Sequence, residues 1–207
     1  MMKSLLILFT VASVALFTPS KPQAALYHLE LEGEIELVTF AFSDTVSPGQ
    51  MAHFSLVFDT DALDTNPSPT AGWFAGAIEG QVTGLFGDAT YTTTSTSRFS
   101  TGSDVTSSLG YTGFGGSIPD LNGLERTGVI TFDLRSSDPS AVSANMLPTS
   151  LDLNDFDLAR NFLFVAPSSG ISGTINSVSV TAVPLPASGL LLIGALGLVL
   201  IRRRRTA

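Results

Sequence analysis

An all-β body, built as a sandwich or jelly-roll-like barrel, is what the sequence predicts for the middle of this chain. An N-terminal signal helix and a C-terminal transmembrane helix are predicted to flank it. Three observations lead there. Apolar and polar residues alternate with period two at several places, turn-forming clusters separate those stretches, and residues 26–182 carry no 3.6-residue apolar stripe. Many short strands at this spacing suit two packed sheets or a closed barrel.

Residues 1–25 read as a secretory signal. Lys3 supplies the positive start, Leu5 to Phe17 form an apolar run broken only by Thr10 and Ser13, and Thr18–Gln23 is polar. Ala24 and Ala25 then offer small residues to a signal peptidase, with the cut after either. The run is shorter than the ~20 apolar residues of a membrane span. An uncleaved anchor is the alternative, because Pro22 sits badly at the third position before a cut after Ala24.

The body, residues 26–182, opens with Leu29, Leu31, Ile35 and Leu37 alternating with Glu30, Glu32, Glu34 and Glu36. That is a half-buried strand, with Gly33 as a bulge or a point of close approach. Ala52, Phe54, Leu56 and Phe58 alternate with His53, Ser55 and Val57 to give a second strand ending at Asp59. Further strands are predicted at 78–86, 91–99, 128–134, 161–165 and 171–183. Turns are predicted at 47–49, 66–69, 113–116 and 136–139, where Gly, Pro, Ser and Asn cluster. Residues 90–108 hold thirteen Ser and Thr in nineteen positions, and are read as a strand followed by a loop, with a low-complexity linker as the alternative.

Composition narrows the chemistry. The 207 residues contain no cysteine, which excludes disulfides, cysteine-ligated zinc, iron–sulfur clusters and a cysteine nucleophile. The formal charge is −8, but the signal and the tail hold six of the ten basic residues. The body sets all 18 acids against Arg98, Arg126, Arg135 and Arg160, a formal charge of −14 with no lysine. Such a surface repels nucleic acid, whose binding depends on Lys and Arg displacing counterions. The mean hydropathy of +0.35 therefore comes largely from the two ends.

At the C-terminal end, Val183-Pro184-Leu185-Pro186-Ala187 leads into Gly189–Ile201, followed by Arg202, Arg203, Arg204 and Arg205. Val183 to Ile201 gives nineteen residues without a charge, and at ~1.5 Å per residue they just cross a hydrocarbon core. The arginines would stay cytoplasmic, which puts the body on the far side of the membrane, in agreement with the signal. The prolines keep the approach to the span extended.

A Pro motif, a Gly/Leu helix and an Arg run, in that order over residues 183–207, resemble the PEP-CTERM class of bacterial sorting signals, in its VPLPA-CTERM variant. Leu185 stands where the main family has Glu and matches the variant. The resemblance implies recognition by an exosortase, a membrane transpeptidase that cuts near the Pro motif. It also implies a transient stay in the inner membrane and then a place at the cell surface or outside it, in bacteria that make exopolysaccharide or biofilm.

Candidate sites in the body are few. Asp59, Asp61, Asp64 and Asn66 place four oxygen-bearing side chains on one loop, which could ring a calcium ion; otherwise they accept backbone N–H bonds in turns. No EF-hand is present, since Leu63 and Asp64 occupy positions that need a ligand and a Gly. This loop and the Gly72–Ile78 segment after it also look like a recurrent pattern in the outer domains of PEP-CTERM proteins. Glu30 to Glu36 repeat carboxylates ~6.6 Å apart along one strand face, suited to cations or to repelling acidic polymers. They do not set apart the two roles a glycosidase needs. Asp152, Asn154, Asp155 and Asp157 make a second acidic loop.

His28 and His53 are the only histidines, each within a strand pattern and with no Ser or acid partner at a catalytic spacing. There is no Gly-x-Ser-x-Gly, His-Glu-x-x-His or phosphate loop. Trp73, Phe74, Tyr91 and Tyr111 could offer apolar faces to sugar rings, although Trp73 and Phe74 are expected in the core. With the resemblance, these features imply an exported, non-enzymatic surface or matrix protein without a required cofactor. The alternatives are a lectin-like module, calcium-dependent or not, and a polysaccharide-acting hydrolase or lyase.

Overall fold

Leucines inside and glutamates outside set the first strand, β1 (Leu26–Val38): Leu29, Leu31 and Ile35 are buried and the four Glu between and after them are exposed. The computed structural model describes residues 26–93, 97–119, 124–167 and 169–184. Nine more strands follow: β2 (Met51–Asp59), β3 (Ala71–Ala75), β4 (Ile78–Phe86), β5 (Ala89–Thr92), β6 (Ser97–Ser103), β7 (Ser107–Pro119), β8 (Glu125–Ser136), β9 (Ala159–Ala166) and β10 (Ser169–Ala182). Single 3-10 turns at Phe40–Phe42 and Leu153–Asp155 are the helical elements among the described residues. The predicted signal and transmembrane helices lie outside them.

All pairings are antiparallel. Eight strands close a ring in the order β1, β2, β4, β5, β7, β8, β9, β10 and back to β1. Each ring neighbour is the next ring strand in sequence, so the ring is a meander rather than the Greek-key path of a jelly roll or the two sheets of a sandwich. The remaining two strands form a flap. β6 pairs with the first half of β7, β3 pairs with β6, and β5 meets β7 at Thr92 and Ser117.

The all-β expectation holds and its details shift. The predicted turn at 113–116 lies inside β7, where a bulge between Phe114 and Gly116 interrupts the ladder to β8. The stretch predicted as one strand at 91–99 belongs to β5 and β6, and the Ser/Thr-rich segment beyond it supplies β6 and the start of β7. Period two holds in these segments, but Gly and Ser at inward positions hide it.

Aromatic rings fill the ring's interior. Phe54, Phe86, Tyr91, Phe162 and Phe164 pack with centroids 5.3–6.3 Å apart. Phe58, Phe99, Tyr111 and Phe132 form a second group, in which Tyr111 stacks on Phe132 at 4.9 Å. Such pairs add about 0.5–1.5 kcal/mol each beyond the area they bury. Room for the rings comes from missing side chains. A Cβ at Gly173 would lie 2.6 Å from Phe162 Cζ, and one at Gly116 would fall inside the Tyr91 ring. Gly33 plays both predicted parts: the ladder to β10 shifts at Glu32/Gly33, and a Cβ there would sit 2.9 Å from Phe162 Cε1.

The described outer wall carries mostly Glu, Ser, Thr and Asp, with exposed apolar residues such as Met51, Leu85, Leu163 and Val165 scattered among them, whereas the outer band of a membrane-spanning barrel is apolar. The long connection between β8 and β9 buries Val142, Ala144, Leu147 and Phe156 against the body. Its ends are clamped by Asp157, which accepts from Ser137 N at 2.7 Å and from Ser137 Oγ at 2.6 Å. The Ser137 hydroxyl, and then its amide, hold the Asp157 carboxyl below its ordinary value of 3.8. The clamp's contribution is therefore complete above pH 3.8 and is lost as pH falls below it.

The Tyr91 hydroxyl is buried without a hydrogen-bond partner among the described residues. Burial, reinforced by Tyr111, pushes it well above its ordinary value of 10.0, and the Ile130 backbone N–H, outside hydrogen-bonding geometry, opposes this only in part. A raised folded-state value means that stability is intact below pH 10 and declines above it, because only the unfolded chain then releases the proton. In urea unfolding, Tyr91→Phe is expected to gain about 1 kcal/mol by removing an unsatisfied polar group and to lose part of the alkaline decline. Gly116→Ala is expected to lose about 1–3 kcal/mol by overpacking. A Tyr91→Phe variant less stable than the parent would show that the hydroxyl has a partner.

Candidate functional site

The pairing of β1 with β2 builds a polar stripe on the outer wall. Register sets Glu30 opposite Ser55 and Glu32 opposite His53, with Ser179 and Ser177 of β10 on the other side. His28 Nδ1 lies 3.8 Å from Glu30 Oε1, and His53 Nδ1 lies 3.8 Å from Glu32 Oε1. Exposed pairs of this kind contribute at most about 1 kcal/mol. At the far end of the row, Glu36 accepts from Thr174 Oγ1 at 2.5 Å.

His28 Nε2 is 2.7 Å from Ser55 Oγ, a contact the sequence reading did not anticipate because it depends on strand register. Ser55, His28 and Glu30 have the composition of nucleophile, base and orienting acid. Their geometry differs from that machinery: the Glu30 oxygen is beyond hydrogen-bond reach of Nδ1. Ser55 also stands mid-strand with β1 on one side and β4 on the other, where backbone N–H groups serve the ladders rather than an oxyanion.

The Asp59–Asn66 loop turns its oxygens onto backbone. Asp59 Oδ1 accepts from Asp61 N at 2.8 Å, Asp64 Oδ1 from Asn66 N at 2.8 Å, and Asn66 Oδ1 from Ser68 N at 3.1 Å. Asp64 Oδ1 also accepts from Trp73 N at 2.8 Å, while Trp73 O accepts from Thr65 N at 2.8 Å and Thr65 Oγ1 at 2.9 Å. Trp73 is the middle residue of β3, whose outer edge has no strand neighbour among the described residues. Asp64 and Thr65 thus cap an open sheet edge, a role the spacing of acids alone did not reveal. Among the described residues, no group of three or more His, Cys, Asp and Glu gathers as a metal ion requires. In the second acidic loop, Asp152 Oδ1 accepts from the Asn154 amide and side chain, and Asp157 forms the Ser137 clamp.

The aromatic candidates divide. Phe74, Tyr91 and Tyr111 are buried, so they offer no sugar face, and Phe74 is in the core as expected. Trp73 was expected in the core and is instead 48% exposed, because it alternates outward between Gly72 and Phe74 on β3. The Arg98 guanidinium, on the neighbouring β6, lies over the indole at 5.4 Å from the ring centroid.

Both ends of the described body meet at one pole. Tyr27 pairs with Ala182, and Val183 N donates to Leu26 O at 2.8 Å. Leu26 is also in register with Asp59, so the Asp59–Asn66 loop begins at the same pole. Pro184 is exposed just beyond the last rung. Ala24 and Ala25 lie outside the described residues, as do Leu185, Pro186, Ala187 and Arg202–Arg205. No helix among the described residues is long and apolar enough to cross a membrane.

Comparisons with protein-family models, with curated proteins and with solved structures found no match. Asp64→Ala is expected to cost about 1–2 kcal/mol through the lost cap on Trp73 N–H, measured by thermal or urea unfolding. The loss should be the same in calcium and in chelator; a calcium-dependent loss would instead make the loop a cation site.

Proposed function

We propose that this chain is an exported, non-enzymatic surface or matrix protein. A signal peptidase releases its N-terminus after Ala24 or Ala25, and its C-terminal segment holds it in the inner membrane until an exosortase acts at Val183–Ala187. The observation that carries this reading is the Leu26–Val183 rung. It gathers the two ends of the described body at one pole, so a body tethered at either end would hang from the membrane by the same side. Pro184 follows immediately and cannot extend the ladder, since it has no N–H. The prolines of the motif disfavour helix on either side, which suits recognition as extended chain by a membrane protease.

Two features of the body fit a life outside the membrane. Its wall is acidic and free of lysine, which favours solubility among polymers and against nucleic acid. Its interior is packed with rings, so its chemistry lies on the outer surface. The lectin-like alternative gains from the outward position of Trp73, and an association with exopolysaccharide follows from it.

Mass spectrometry of the mature protein tests the processing. The expected chain begins at Ala25 or Leu26 and ends within or near Val183–Ala187. A mature chain ending at Ala207 would make the C-terminal segment a permanent anchor. Deleting Arg202–Arg205 is expected to leave precursor in the membrane fraction, read by immunoblot of fractionated cells; normal processing without the arginines would remove them from the signal.

A further inference from the structure

We propose that the outer face of β3, β6, β7 and β8 binds an uncharged polysaccharide, with Trp73 as the stacking ring and Arg98 as its support. Every other aromatic side chain described on the ring and flap strands is buried or half-buried. Trp73 stands outward on an edge strand, held on one backbone side by β6 and on the other by Asp64 and Thr65. Its ring is therefore presented by a braced backbone, with little ordering left to lose on binding. Arg98 supports the indole and adds N–H donors beside it.

The ground next to Trp73 is flat. Register runs outward from Trp73 to Ser100, Gly110, Asp133 and Asn161 on successive strands. Four strand spacings make this row about 19 Å long. Gly102 and Ser108 lie on one side of it, Thr112 and Thr131 on the other. Gly110 contributes no side chain, the Ser and Thr contribute hydroxyls, and the far end carries the Asp133–Arg135 ion pair at 2.7 Å.

A sugar ring has an apolar C–H face and a rim of hydroxyls, which matches one exposed indole set in a field of small polar groups. A protein partner would want apolar groups clustered around the Trp and Arg; the exposed Leu163 stands opposite Thr131, three strands away from Arg98, and Thr112 and Thr131 lie between. Stacked bases could use the ring, but a body of −14 repels their phosphates, and the same charge disfavours uronate polymers. An uncharged glycan remains. This deepens the matrix reading by naming the surface through which the exported body holds polymer.

Trp73 is the sole tryptophan of the chain, so its fluorescence reports on this site alone. Full-length protein in detergent would be titrated with cellohexaose, with oligo-alginate and with oligo-dT, and tested for retention on insoluble cellulose and on an insoluble mixed-linkage glucan. The expected result is an emission shift with the neutral oligosaccharide and retention on at least one neutral polymer. Trp73→Ala should weaken retention about tenfold and Trp73→Tyr should restore part of it. Thermal unfolding of each variant separates a binding loss from a folding loss. No shift and no retention would overturn the proposal, as would equal retention of Trp73→Ala, a preference for alginate or oligo-dT, or a concentration-dependent dimer that Trp73→Ala abolishes. Binding is measured on purified protein, so a failure of the sorting reading in cells leaves this result standing, and the reverse holds too.

Discussion

The structure depends on one steric exchange: side chains are deleted on some strands so that aromatic rings from others can fill the ring. A closed eight-stranded barrel has an interior that side chains must fill, because a void forfeits dispersion contacts. Here Phe162 lies over Gly33 and Gly173, and Tyr91 lies against Gly116. Neither half works alone. An aromatic at Gly173 would clash, and a small residue at Phe162 would leave a hole of the kind that costs about 3–5 kcal/mol. Filling the interior this way also accounts for a Tyr91 hydroxyl that is buried with no hydrogen-bond partner among the described residues: the ring is needed for its size, and its oxygen goes where the packing puts it.

Closure has a second consequence, at the edges. The ring strands find ladder partners around the barrel, which removes the open edges that invite aggregation. The flap recreates one at β3, and the chain covers it with its own preceding loop, through Asp64 and Thr65. The acidic loop thus caps an edge in three dimensions, a role its spacing of acids does not show. The same cap braces Trp73, so the edge device and the exposed ring share a strand.

Legibility in the sequence followed side-chain period. β1 and β2 were plain, since Leu29 to Ile35 and Ala52 to Phe58 alternate with polar residues and few glycines, although Leu37, read as inward, is exposed past the register shift after Ile35. β7 was read partly as a turn because Gly113 and Gly116 occupy inward positions, where the Tyr111 ring of the same strand and the Tyr91 ring of β5 take up the space of the missing side chains. β3 was missed because five residues, Ala71-Gly72-Trp73-Phe74-Ala75, show one large inward residue and one large outward one. What no local pattern carries is register. The contact of His28 with Ser55, the cap from Asp64 to Trp73, and the placing of Arg98 over Trp73 all join segments whose alignment is decided by the whole barrel.

The charge pattern and the topology together bear on how such a body works at a surface. In ring order, β1 and β7 are four strands apart, on opposite sides of the barrel. The four exposed glutamates of β1 therefore face away from the Trp73–Arg98 side, which adjoins β7 through β6. One wall repels anions, and the opposite one presents a ring, hydroxyls and glycine backbone. The ends of the described body, Leu26 and Val183, meet at one pole of the barrel, so a tether there would cover neither wall. A body hung from that pole keeps its flat wall clear along its length, and its acidic wall keeps neighbouring copies and polyanions at a distance. The contrast between the two walls needs no moving part: it follows from which residues alternate outward on strands that the packed rings hold in place.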